Sequence, residues 1–167
     1  STITVLSLYG YQYTIKFINT FNEKSIPKDK LEKYRKRLKT NPKFAEEELG
    51  RVIILLNSNV DLIKSEILAK FYRAYVSEEI TWEEFCELSD VTTRLFISDL
   101  RLLYDIYNKH ISDTTQCQVY QAERLISLGL LDSAMKSMTI GRESSSHTVK
   151  YIQVSRLGEK FCSLSLS

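Results

Sequence analysis

The chain has 167 residues, 43% hydrophobic and 26% charged, the balance of an ordinary globular protein, which excludes a largely disordered chain. Its net charge of +2 does not indicate a polyanion partner by itself, so any electrostatic argument has to come from local clustering. Five Gly and two Pro impose few obligatory turns, which favours long helices over a many-stranded sandwich or barrel. Cys86, Cys117 and Cys162 are odd in number and form no CxxC pair, so neither a disulfide framework nor a zinc knuckle is suggested, and a reducing cytoplasm is the expected compartment. No apolar run has the length of a membrane span, and the N-terminus lacks the order of a secretory signal. The chain begins with Ser1 and not Met, which fits Met removal, a tag remnant or a longer upstream segment.

From Thr2 to Phe21 two periodicities compete. Tyr9, Tyr11, Tyr13, Ile15 and Phe17 alternate as in a strand or hairpin, whereas Tyr13, Phe17 and Phe21 stand at helical spacing. Ser25 followed by Pro27 marks a helix start, since Pro is tolerated where its missing donor is not needed. Between Lys16 and Lys39, nine basic residues stand against Glu23, Asp29 and Glu32, nine minus three or +6. Lys30, Lys33, Arg35, Lys36, Arg37 and Lys39 form the densest part, a basic patch with Tyr34 interleaved. It reads as a nucleic-acid or anionic-membrane contact, or as a solvated face paired with the acidic run Glu78, Glu79, Glu83, Glu84, Glu87 and Asp90. Asn41-Pro42 opens a second helix, and the spacing from Asp61 to Val76 predicts a third. Thr81 with Glu84 forms a capping box before a fourth helix. Ser98-Asp99 reads as another N-cap and sets the expected boundary between an N-terminal helical lobe, residues 1–97, and a second lobe, 98–167. Thr115 and Gln118 offer a further capping box. Beyond it come a helix ending near Leu131, a strand over 134–140, a polar loop, a strand over 149–155 and a closing helix from Leu157.

Ala122 to Leu131, with its Leu-Gly-Leu-Leu end, then strand, Ser-rich loop and strand, then Leu157-Gly158-Glu159-Lys160-Phe161, resembles the C-terminal half of a winged helix, the fold of many bacterial regulators. The resemblance covers residues 99–167. It implies a supporting helix over Leu100 to Lys109, a recognition helix over Thr115 to Leu128 and a wing over Gly141 to Thr148. The family has a short helix between the first two, where this chain has only Ile111 to Thr114. A winged helix that reads DNA places its recognition helix in the major groove and its wing along phosphates. The implied base-edge or sugar contacts are Gln116, Gln118, Gln121 and Arg124, since Gln pairs bidentately with adenine and Arg with guanine. Lys136, Arg142, His147 and Lys150 are the implied phosphate contacts. Against this, six basic and five acidic residues from Asp113 onward net only +1, weak for a phosphate-gripping domain.

The remaining chemistry is sparse. Ile80-Thr81-Trp82-Glu83-Glu84-Phe85 resembles the start of an EF-hand exit helix, but the residues before it supply no loop of alternating oxygen donors with a central Gly. His110 and His147 are far apart and not at metal-ligand spacing with Cys or carboxylates. Glu83-Glu84 and Glu46-Glu47-Glu48 are read as first-turn carboxylates favoured by the helix dipole. No nucleophile elbow or Gly-rich phosphate loop exists. The expectation is therefore a mainly α protein, a helical lobe followed by a winged-helix-like α+β lobe with a β-hairpin. It is expected to act by binding, with no cofactor, no metal, no catalysis and no evident small-molecule substrate. DNA regulation is the first reading. Protein–protein interaction as an adaptor, in a phage or host-defence setting, is the second.

Overall fold

The computed structural model describes residues 2–58, 61–139 and 147–167, with side chains over 11–58, 61–138 and 148–167. Helical spacing wins in the first segment: Thr2–Asn22 is one helix, α1. Tertiary packing decides this, because a helix brings Phe17 and Phe21 onto one face, ring centroids 6.4 Å apart, with both rings about 6 Å from Tyr72. The strand alternative is thereby corrected. Four helices follow: α2 (Lys28–Thr40), α3 (Pro42–Ser58), α4 (Leu62–Val76) and α5 (Trp82–Arg94).

Helix α4 is the centre of this half. Ile67, Leu68, Ala69, Phe71, Ala74 and Val76 are all buried, and burial of a side chain such as Phe71 stabilises by about 1.5–3 kcal/mol. The Arg73 guanidinium donates from Nη1 to the Thr20 carbonyl at 2.9 Å, a second bond to a carbonyl in the last turn of α1 that also accepts from Glu23 N at 3.2 Å. Asn41 starts α3 through its side chain, which accepts from Phe44 N at 3.1 Å. Thr81 and Glu84 form the reciprocal bonds of a capping box at the start of α5, Glu84 N to Thr81 Oγ1 at 3.2 Å and Thr81 N to Glu84 Oε2 at 2.9 Å.

Backbone proximity divides the chain into two compact units, Ser1–Arg94 and Leu95–Ser167, against the 97/98 boundary expected from sequence. The second unit holds α6 (Ile97–Tyr107), a 3-10 turn (Thr114–Gln116), α7 (Val119–Ser127), β1 (Leu131–Thr139), β2 (His147–Val154) and α8 (Arg156–Ser165). The chain is thus mainly helical with one antiparallel hairpin near its C-terminal end. Two caps differ from expectation. Ser98-Asp99 does not cap α6: Phe96 precedes the helix, and Asp99, inside its first turn, accepts from Phe96 N at 2.9 Å. The expected Thr115 and Gln118 box is replaced by Asp113 and Gln116, where Asp113 Oδ1 accepts from Thr115 N and Gln116 Oε1 accepts from Asp113 N.

The Leu-Gly-Leu-Leu end of α7 has a backbone cause. Gly129 adopts φ +76°, a left-handed conformation that costs other residues. It reverses the chain so that Leu130 and Leu131 enter the core beside Leu125 and Phe161. The hairpin pairs Leu131 with Val154 through Thr139 with His147, with an irregularity at Lys136. Ser112 and Asp113 add a short third rung, since Ile152 N donates to Ser112 O at 3.0 Å and Asp113 bridges Tyr151. Ser155 caps α8 by accepting from Gly158 N at 3.0 Å. Among the described residues no helix is long and apolar enough to cross a membrane.

Candidate functional site

Helical geometry splits the basic run of α2. Residues 30, 33, 34 and 37 fall on one face because 3.6 residues complete a turn, and Lys30, Lys33, Tyr34 and Arg37 border one concavity of the N-terminal unit. Arg35, Lys36 and Lys39 are exposed elsewhere on the helix. The six residues expected as a single patch are therefore two groups of three. Lys30 and Lys33 both bond to Glu78. Lys30 first, then Lys33, holds the Glu78 carboxyl down at about 2. Glu78 has φ +59°, so a non-glycine residue takes the left-handed position after α4 and turns its carboxylate toward α2.

Arg37 is paired differently. Its guanidinium carbon lies 4.0 Å from the Phe44 ring centre, 5.5 Å from that of Tyr75 and 5.9 Å from that of Tyr34. Its Nη2 donates to the Tyr75 hydroxyl, which in turn donates to Glu48 Oε1. Nη2 itself is 3.6 Å from that oxygen. The sequence pattern puts Glu48 among three first-turn carboxylates, but α3 begins at Pro42 and Glu48 is 2% exposed. Burial pushes its carboxyl above the ordinary range, against the opposing pull of Tyr75 and Arg37. Glu48 Oε2 is buried with no hydrogen-bond partner. Next to these groups Trp82 stacks on Phe85 and tilts against Tyr75, centroids 5.1 and 5.2 Å apart. The space between has a volume of about 520 Å³, within the size range of small-ligand pockets. Sequence reasoning missed Glu48 because three successive glutamates on a helix point in three directions, and only packing tells which one faces inward.

In the C-terminal unit the residues expected to read DNA are largely engaged. Arg124 makes a two-pronged pair with Asp99, Nε to Oδ2 at 2.9 Å and Nη2 to Oδ1 at 3.2 Å, and Asp99 is fully buried. Lys136 bonds Asp113 Oδ2 at 2.5 Å. That bond, then those from Thr115, holds the Asp113 carboxyl down at about 2. Lys150 bonds Glu123 Oε1 at 2.6 Å. Gln116 spends its carbonyl on the backbone N–H groups of Ser112 and Asp113 at 2.8 and 3.2 Å. The structure brings Gln116, Gln118 and Gln121 together, with Arg101 and Asp105, around a shallow polar concavity between α6 and α7. Arg142 and the side chain of His147 lie outside the described residues.

The outward face of α7 carries exposed Val119, Tyr120, Glu123 and Ser127, two apolar residues and one carboxylate. Tyr120 and Phe96 are 62% and 60% exposed, and the Arg124 guanidinium lies between them, 4.7 Å from the Phe96 centroid and 5.7 Å from that of Tyr120. Among the described residues no group of three or more His, Cys, Asp or Glu is placed to hold a metal ion. Compared with known proteins, the chain matches no family model, no curated protein and no solved structure.

Proposed function

We propose that this chain is a non-catalytic binding protein whose C-terminal unit, built in the winged-helix order, docks a protein partner through Val119, Tyr120 and Phe96. The observation that carries this reading is the engagement of three of the cations expected to meet DNA. Arg124, Lys136 and Lys150 each meet a carboxylate, so a phosphate backbone would have to break intramolecular pairs before gaining contacts. Exposed Tyr and Phe around an Arg whose charge is already balanced are residue types enriched at protein interfaces. The partner surface it fits is apolar and near neutral. The sequence of α6, turn, α7, hairpin and α8, with its third rung at Ser112 and Asp113, supports the winged-helix resemblance. A 3-10 turn of three residues stands where that family has its middle helix.

The convergence of Gln116, Gln118 and Gln121 beside Arg101 favours a second reading, nucleic-acid recognition, because amide side chains pair with base edges. Electrophoretic mobility of a random DNA duplex at low and moderate salt separates the two. Protein docking predicts no retardation even at low salt. Retardation that fades as salt rises would overturn it. The nucleic-acid reading then requires Lys150→Ala to weaken binding across sequences and Gln121→Ala to change sequence preference.

A further inference from the structure

The concavity of the N-terminal unit has the parts of an organic-cation site whose occupant is the protein's own Arg37. Three aromatic rings, Tyr34, Phe44 and Tyr75, surround the Arg37 guanidinium, and ring faces attract a cation through their negative quadrupole. Behind them is the carboxylate of Glu48, 2% exposed. Its Oε1 is served by the Tyr75 hydroxyl, and its Oε2 has no hydrogen-bond partner. A buried carboxylate oxygen left unpaired is costly, and a donor that reaches it gains more than the same donor would in water. Arg37 does not fill that role: its one approach to the carboxylate is Nη2 to Oε1 at 3.6 Å, and its side chain is 44% exposed. Empty space of about 520 Å³ adjoins the cage, with Trp82 on its wall.

We propose that this cage binds a small organic cation, a guanidinium or alkylammonium group, and that Arg37 is a tethered competitor that leaves when the ligand enters. The ligand cation takes the place of the guanidinium between the rings and donates to Glu48 Oε2, while its alkyl part lies against Trp82. Because the competitor is covalently attached, it lowers apparent affinity by the fraction of time the cage is self-occupied, and removing it restores the intrinsic value. The proposal is independent of the reading of the C-terminal unit, since every residue it uses lies within Ser1–Arg94.

Trp82, the single tryptophan of the chain, reports on the site without a label. Propylguanidinium titrated into the full chain should change its fluorescence saturably. In Arg37→Ala the dissociation constant should fall by about tenfold relative to wild type. N-propylurea, the same shape without the charge, should give no saturable change, and Glu48→Gln placed in the Arg37→Ala background should abolish the response. An acetyl-Gly-Arg-Gly-amide peptide separates the two sources of a guanidinium: affinity equal to that of propylguanidinium marks a free small molecule, and clearly tighter binding marks an arginine on a peptide. Circular dichroism checks that each variant is folded. If Arg37→Ala is not, Arg37→Met, which keeps the alkyl packing, is titrated instead. Absence of a saturable response in both wild type and the folded variant, or equal binding of the uncharged urea, would overturn the assignment.

Discussion

Each unit of this protein sets an arginine against aromatic rings and a buried carboxylate, and the two arrangements differ in how completely they are closed. In the C-terminal unit Arg124 reaches both oxygens of Asp99, and Phe96 N also donates to one of them. In the N-terminal unit Arg37 is 3.6 Å from one oxygen of Glu48, a tyrosine hydroxyl serves that oxygen, and the other has no partner. A satisfied buried network rigidifies the structure around it, whereas a buried polar atom without a partner is costly and gains from a donor that reaches it. The same pairing therefore acts as a clasp in one unit and as a receptive site in the other.

The sharpest way to break this contrast is to remove the arginines. Arg124→Ala leaves Asp99 buried without its counter-charge and should destabilise by about 3–5 kcal/mol, read from urea unfolding followed by circular dichroism. Arg37→Ala should cost clearly less, because Glu48 keeps the hydrogen bond from Tyr75 and its raised pKa lets it take up a proton more easily. Equal costs would show that the two sites are alike.

One substitution should have opposite signs in the two units. A Cβ on Gly158 would meet the Leu130 carbonyl oxygen at 2.1 Å, a backbone atom that cannot step aside, so Gly158→Ala should destabilise by about 1–3 kcal/mol. A Cβ on Gly50, inside α3, meets nothing within 4 Å, so Gly50→Ala should stabilise by about 0.5–1 kcal/mol through the better helix propensity of Ala. Thermal unfolding of the two variants measures both signs. If both destabilise, α3 is more tightly surrounded than its open position implies.

The smallest effect is expected at the exposed clasp between α2 and the end of α4. The Glu78 carboxyl is held at about 2, below its ordinary 4.5, so the folded state binds its proton less readily than the unfolded chain does. The stabilisation is therefore present above pH 4.5 and is lost as pH falls toward 2. Glu78→Gln should lower the unfolding midpoint slightly at pH 7, and the gap to wild type should close toward pH 2. A gap that widened on acidification would mean that Lys30 and Lys33 do not act through this carboxylate.

Part of the fold was legible in the residues. Asn41 and the Thr81 and Glu84 pair announce helix starts because they act on backbone groups within three residues, and the structure shows those bonds. The hairpin near the C-terminal end was anticipated, although β1 begins at Leu131 and not at residue 134. The first segment was ambiguous because an aromatic-rich stretch satisfies two periods at once, and packing against α4, with Phe17 and Phe21 on Tyr72, selects the helical one. The candidate sites were less legible. Arg124 looked free to meet a base, yet Asp99, twenty-five residues earlier, claims it. Six neighbouring cations looked like one patch, yet the helical turn divides them between two faces.

The caps at residues 41 and 81 and the order of helix, hairpin and closing helix in the last third follow from interactions between near neighbours, which the sequence states directly. Which carboxylate is buried, which arginine is clasped and which stays poised depend on pairs such as Arg37 with Glu48 and Tyr75, brought together from three helices. Periodicity defines the faces of a helix, but the packing of one helix against others decides which face turns inward, and the chemistry of this protein rests on that choice.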